Sequence, residues 1–203
     1  MALVVFTGGA RSGKSRAAAE LAARRELDGA RVHVCVFGRA GVDQEFDARI
    51  ESHRRSRPTS WDVTEVDDPL VELGTPPDGG VLLVDCVGTA IGRLMDIAYA
   101  SHVGTNLADS GSHTMPEAVA SKVTASVDAM IADLVGRSHD TIVVTNEVGS
   151  GVVPAFASGR FFQDLLGSAN ARLVRSADAA YLCVAGRLLD LTSLPSGVDW
   201  PHD

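Results

Sequence analysis

Gly8-Gly9-Ala10-Arg11-Ser12-Gly13-Lys14-Ser15 is the stretch that decides how this chain is read. It fits G-x-x-x-x-G-K-[ST] at every fixed position, the pattern of a loop that cradles phosphate groups. Glycines let the backbone curl so that successive N–H groups point inward at phosphate oxygens. In that pattern Lys14 reaches the β- and γ-phosphates and the Ser15 hydroxyl ligates Mg²⁺. A helix starting at Lys14 adds the positive end of its dipole. The flanks agree with the motif. Residues 3–7, Leu-Val-Val-Phe-Thr, form a β-branched and aromatic run that reads as a buried strand. Residues 14–27 are rich in Ala, Leu, Arg and Glu, contain no Pro or Gly, and read as a helix. A glycine turn that binds nothing is the bland alternative, but strand, glycine loop and helix in this order are what a triphosphate site requires. The motif calls for a nucleoside triphosphate and leaves the reaction open.

Composition narrows the class. The chain has 203 residues, enough for one α/β domain with a sizeable core. Its formal net charge of −8 argues against a nucleic-acid partner, which would need a basic surface. The first strand starts close to Met1, so no secretory leader is expected, and no apolar run is long enough to insert into a membrane. Cys35, Cys86 and Cys183 are far apart in apolar runs and read as buried thiols of a reducing, cytoplasmic compartment.

Further along, residues 32–37 read as a second buried strand and residues 43–56 as a helix ended by Pro58. Residues 61–66 alternate apolar and polar, as in a half-exposed strand. The turn cluster at 76–80 leads into the apolar strand 81–85, and residues 86–100 read as a helix. Residues 101–112 read as a polar loop, 116–135 as a helix with Pro near its first turn, and 141–145 as another apolar strand. A helix over 161–175 and a last strand over 180–184 complete the pattern. The reading is therefore one α/β domain over 1–187, a mostly parallel sheet with helices on both faces, and a tail over 188–203 without regular structure.

Asp85 closes its apolar strand well downstream of the phosphate loop. Parallel strands deliver their C-terminal residues to one ligand-binding edge. A carboxylate there can hold Mg²⁺ or its water, or accept a proton from an attacking hydroxyl. Capping of the next helix is the structural alternative.

Several segments converge on one family. Residues 8–15 read GGARSGKS, 43–58 read DQEFDARIESHRRSRP, 145–154 read TNEVGSGVVP, and 160–178 read RFFQDLLGSANARLVRSAD before a strand and Gly186. Over nearly the whole chain this resembles the CobU/CobP family of cobalamin biosynthesis. The ARI-x-x-H and NEVG-x-G-x-VP segments carry the resemblance more specifically than the phosphate loop. It implies a RecA-like P-loop fold and two reactions, with Mg²⁺ as cofactor. Adenosylcobinamide is phosphorylated with ATP or GTP, and GMP from GTP is then transferred to adenosylcobinamide phosphate. The resemblance also implies a homotrimer and a guanylylated histidine, which matches His53.

From spacing alone His53 is more often a packed residue, because Phe46, Ile50 and His53 share one helical face. The match of residues 48–53 to the family segment implies the nucleophile instead. Arg49 lies one turn before His53, and Arg54, Arg55 and Arg57 follow it, so they can compensate phosphate charge or form a solvated helix end. Glu147 opens the second glycine segment, and the resemblance implies that it lies near substrate or nucleotide. Asn170 and Asp164 read as packing or subunit-contact positions. The expected nucleotide-binding set is Gly8, Gly9, Ala10, Arg11, Ser12, Gly13, Lys14, Ser15, Arg49, Arg54 and Glu147. Lys14, His53 and Asp85 are the catalytic candidates, with Ser15 and Asp85 holding the metal. A small-molecule kinase using only Lys14, Mg²⁺ and Asp85 is one rival. A GTP-dependent switch is another, weakened because the chain lacks an N-K-x-D guanine-reading segment.

Overall fold

The computed structural model describes residues 1–37, 57–70, 73–74, 76, 78–107, 110 and 113–197. The helix expected over 43–56, and with it Arg49, His53, Arg54 and Arg55, lies outside the described residues.

The strands are β1 Leu3–Gly8, β2 Val32–Val36, β3 Asp62–Glu65, β4 Val81–Asp85, β5 Asp140–Val144, β6 Ala179–Val184 and β7 Arg187–Asp190. The helices are α1 Lys14–Leu27, α2 Val87–Val103, α3 Glu117–Gly136 and α4 Ala157–Ser176. The strands form one sheet in the order β3-β2-β4-β5-β1-β6-β7. Every pairing is parallel except that of β6 with β7. The mostly parallel α/β architecture expected from the alternating pattern is the one observed.

Period-two alternation splits each central strand between two cores. Leu82 and Val84 of β4 and Val143 of β5 pack with the apolar stripes of α2, α3 and α4. Val81 and Leu83, with Ile142 and Val144, pack against α1 on the other face. In α1 the buried apolar positions are Ala18 and Ala22, whose small side chains let the helix lie close on the sheet. In α3 the sequence places Val119, Val123, Val127, Met130, Ile131 and Leu134 on one buried stripe at helical spacing.

Three expectations are corrected. The chain beyond Arg187 is not wholly irregular, because β6 turns back through Ala185 and Gly186 into β7. Both turn residues have positive φ, 49° and 76°, the conformation of a tight two-residue hairpin. Helix α2 runs on through Ser101 to Val103, where Gly104 at φ 85° caps it, so the polar loop starts later than its composition suggests. Helix α4 begins at Ala157 rather than Phe161, and Gly159 fits its first turn because Pro154 lies where a Cβ would be.

Candidate active site

The phosphate loop is built as its sequence requires. Gly8 ends β1 at φ 152°, and a Cβ there would stand 2.5 Å from the Cys183 carbonyl oxygen. Gly13, at φ 99°, turns the chain into α1. Residues 9–12 lie between them, with the Ser12 N–H donating to the Gly9 carbonyl at 3.3 Å. Lys14 is only 8% exposed, and its Nζ donates to the Gly9 carbonyl at 3.1 Å, folding the ammonium back over the loop. Two neighbours brace the loop from behind. The Gly186 N–H of the β6–β7 hairpin donates to the Ser12 carbonyl at 2.9 Å, and the Glu147 N–H donates to the Gly8 carbonyl at 3.0 Å. Thr7 Oγ1 and Ser12 Oγ are buried without a hydrogen-bond partner among the described residues. Buried hydroxyls normally find a partner, so two orphans in the cradle suit a site made for a polar ligand.

The sheet order brings Asp85 to this loop, because β4 and β1 flank β5 and all three end at the same edge. Ser15 Oγ donates to Asp85 Oδ1 at 3.2 Å, and Arg57 donates to Oδ2 at 3.1 Å. Mg²⁺ takes hard oxygen ligands, keeps several waters, and uses one or two protein groups plus phosphates. A serine hydroxyl and a carboxylate side by side at the phosphate loop are a donor set that fits it.

Beyond Asp85 a buried polar chain locks the two neighbouring strand ends together. The Asp85–Cys86 peptide is cis. Burial, and then the charge of Asp85, push the Cys86 thiol up from its ordinary range, so it stays protonated. It donates to Asn146 Oδ1 at 3.1 Å and lies 3.1 Å from Thr89 Oγ1. The Asn146 carbonyl accepts from Asn170 Nδ2 at 2.8 Å, and Asn170 Oδ1 accepts from Thr145 Oγ1. Gly88 is part of this fit, since a Cβ there would lie 2.8 Å from Asn146 Oδ1. Asn170 therefore packs on the turn after β5, in keeping with a packing role. The other thiols are also held protonated by burial, Cys35 at about 11.

The second glycine segment sits beside the cradle. Glu147 Oε1 accepts the N–H groups of Gly149 at 2.6 Å and Ser150 at 3.2 Å, so this carboxylate closes the loop it begins. From α4, Gln163 donates to the Val148 carbonyl, and Arg160 to those of Pro154 and Ala155. Val152, Val153 and Phe156 are exposed on this loop, and Phe156 stacks on His113 at 3.7 Å.

The structure thus brings together Gly8 through Ser15, Asp85 and the Glu147 backbone. It also adds three groups that the sequence pattern does not single out for the site. Arg57 is one of several arginines in its segment. Cys86 gives no signal except its place directly after an apolar strand, and Asn146 opens the NEVG segment without any sign that it bonds Cys86.

This arrangement is that of a P-loop nucleotide-binding enzyme, with a buried lysine folded over the loop and a serine at the start of α1 paired with the aspartate that ends β4. The chain belongs to the CobU family, cobinamide kinase / cobinamide phosphate guanyltransferase, whose model matches residues 4–191. It is similar to the "Bifunctional adenosylcobalamin biosynthesis protein CobU" of Escherichia coli (strain K12), 32% identical over 91% of this chain and 96% of that protein. The protein of the same name from Salmonella typhimurium is also 32% identical, with the same coverage. "Bifunctional adenosylcobalamin biosynthesis protein CobP" of Pseudomonas aeruginosa is 32% identical over 94% of this chain and 98% of that protein. Among solved structures, an ATPase domain is 10% identical with a TM-score of 0.40, covering 89% of this chain and 68% of that one. The function that goes with the family is bifunctional, cobinamide kinase and cobinamide phosphate guanylyltransferase in adenosylcobalamin biosynthesis.

Proposed function

We propose that this chain runs both reactions at one triphosphate cradle, with His53 as the covalent carrier of GMP. The observation that carries the reading is the Arg57–Asp85 contact. Arg57 is four residues beyond His53 in the sequence, and its guanidinium reaches the carboxylate beside Ser15 at 3.1 Å. The chain leaving the histidine segment is therefore tied into the phosphate site.

In guanylyl transfer, a neutral His53 ring nitrogen attacks the α-phosphorus of GTP. An N–P bond forms, the bond to the β-phosphate oxygen breaks, and pyrophosphate leaves. A phosphate oxygen of adenosylcobinamide phosphate then attacks the same phosphorus, and the N–P bond breaks to give adenosylcobinamide-GDP. In the kinase reaction, the adenosylcobinamide hydroxyl attacks the γ-phosphorus of ATP or GTP, a nucleoside diphosphate leaves, and the hydroxyl proton passes to Asp85 or to solvent. Lys14 and the N–H groups of residues 9–13 hold the departing phosphates in both cases. Mg²⁺ held by Ser15 and Asp85 would supply further charge compensation. Arg49 and Arg54, close to His53 in the sequence, would compensate phosphate charge during the transfer. Glu147 would act near substrate or nucleotide, a reading supported by its N–H bond to the Gly8 carbonyl at the cradle. The unit is a single domain with a short C-terminal tail, working in the cytoplasm as a homotrimer. The exposed Leu188 and Leu189 of edge strand β7 are compatible with a subunit contact. No helix among the described residues is long and apolar enough to cross a membrane.

The test is covalent labelling. The protein is incubated separately with α-labelled and γ-labelled GTP and then denatured. Acid-labile, alkali-stable label from α-labelled GTP alone, lost in His53→Ala, is the expected result. Equal labelling of His53→Ala would remove His53 from the mechanism.

A further inference from the structure

Asp85 is held on both of its oxygens. Ser15 occupies Oδ1, and Arg57 occupies Oδ2 in an ion pair whose side chains are only 9% and 14% exposed. The base from which Arg57 reaches is fixed. Pro58 restricts the backbone of the residue before it to extended conformations. The turn that follows is closed by the Trp61 N–H on the Pro58 carbonyl at 3.2 Å. Trp61 is buried in the core beneath α1, and its Nε1 donates to Glu26 Oε2 at 2.9 Å. Ser60 Oγ donates to the other oxygen of Glu26 at 2.6 Å. The Ser60 and Trp61 hydrogen bonds also hold the Glu26 carboxyl below its ordinary range. The guanidinium at Asp85 is thus aimed from an anchored turn.

A divalent cation that binds both oxygens of the Asp85 carboxylate must take the one that Arg57 holds. Two cations cannot share one carboxylate oxygen at contact distance in a site shielded from water without strong repulsion. We propose that Arg57 is a positioning residue that stands in for the metal at Asp85, so that guanidinium and divalent cation exclude one another on Oδ2. This rests on the assignment of Ser15 and Asp85 as the metal pair. The exchange makes the site selective for metal that arrives with a triphosphate. A bare divalent ion gains only the serine and the carboxylate and must displace Arg57. A chelated one brings phosphate oxygens that offset the loss.

The test uses the full chain and Mn²⁺ alone, titrated by the electron paramagnetic resonance signal of the free ion. Arg57→Met is expected to bind Mn²⁺ about tenfold more tightly than the unaltered chain, the size of one lost charge-assisted hydrogen bond to the competing cation. Arg57→Lys should fall between the two, because an ammonium keeps the charge but not the planar fork. Mg²⁺ alone should raise the melting temperature of Arg57→Met more than that of the unaltered chain. Unchanged or weaker Mn²⁺ binding in Arg57→Met overturns the proposal. If that variant does not fold, Arg57→Lys decides in its place, and unchanged or weaker Mn²⁺ binding there overturns the proposal equally. Asp85→Asn separates this failure from that of the metal assignment. If it leaves Mn²⁺ affinity intact, the Ser15–Asp85 pair falls and the proposal with it. If it weakens Mn²⁺ while Arg57→Met does not tighten it, only the role of Arg57 falls.

Discussion

The two edges of the sheet use aspartate in opposite ways. At the N-terminal edge, Asp140 accepts the Ala2 N–H at 2.8 Å and pairs with Arg25 at 2.7 Å. Asp178 accepts the Leu3 N–H at 2.8 Å. Both carboxylates bond the backbone where β1 begins, so their partners cannot leave without unpicking the strand. At the C-terminal edge, Asp85 bonds only side chains among the described residues, the hydroxyl of Ser15 and the guanidinium of Arg57. Those partners can rotate away and be replaced. Asp140 and Asp178 thus act as staples, whereas the partners of Asp85 are ones that a ligand can displace. A parallel sheet gathers its strand ends and the phosphate loop at one edge, which places Asp85 beside the loop and Asp140 and Asp178 at the opposite edge.

The contrast can be broken by matched substitutions. The largest effect belongs to Asp85→Asn, which keeps the shape and removes the charge. Steady-state assays should show kcat/KM lower by about 10²-fold or more in both reactions, the scale of losing one preorganised electrostatic group. Asp140→Asn and Asp178→Asn should leave kcat/KM within about twofold and lower the stability from urea unfolding by about 1–3 kcal/mol each. A large turnover loss in either staple variant would erase the distinction.

The smallest effect sharpens it through pH. Burial acts to raise the Asp140 carboxyl, but the Ala2 N–H and Arg25 outweigh it and hold the group below its ordinary 3.8. The unfolded chain therefore binds the proton more readily, and the stabilisation present above about pH 4 is lost as pH falls through the folded-state value. Urea midpoints between pH 5 and pH 3 should fall less steeply in Asp140→Asn than in the unaltered chain. Parallel slopes would mean that Asp140 is not a charged staple.

What can be read from sequence follows the same division. The cradle is legible because its physics is local: α1 spans Lys14–Leu27 and β4 spans Val81–Asp85, as composition and periodicity require. The polar chain from Cys86 through Asn146 to Asn170 is not, because it depends on β4 and β5 being neighbours although two helices of chain lie between them. Asn170 leaves one trace, a polar residue on the buried stripe Leu166, Ala169, Leu173. Strand β7 escapes notice because all four residues are exposed, so no alternation marks it, and Ala-Gly is a weaker turn signal than Asn-Gly. The staples at Asp140 and Asp178 are invisible for a further reason. Nothing in an aspartate's local sequence says whether it will bond a distant strand's backbone or a ligand.

In the proposed mechanism one cradle serves both transfers while His53 serves only one. The most direct measurement assays Lys14→Ala and His53→Ala side by side for adenosylcobinamide phosphorylation and for GMP transfer to adenosylcobinamide phosphate. Lys14→Ala should lose both activities, and His53→Ala should lose GMP transfer while keeping the kinase rate within about threefold. Full GMP transfer by Lys14→Ala, or loss of both activities in a folded His53→Ala, would contradict it.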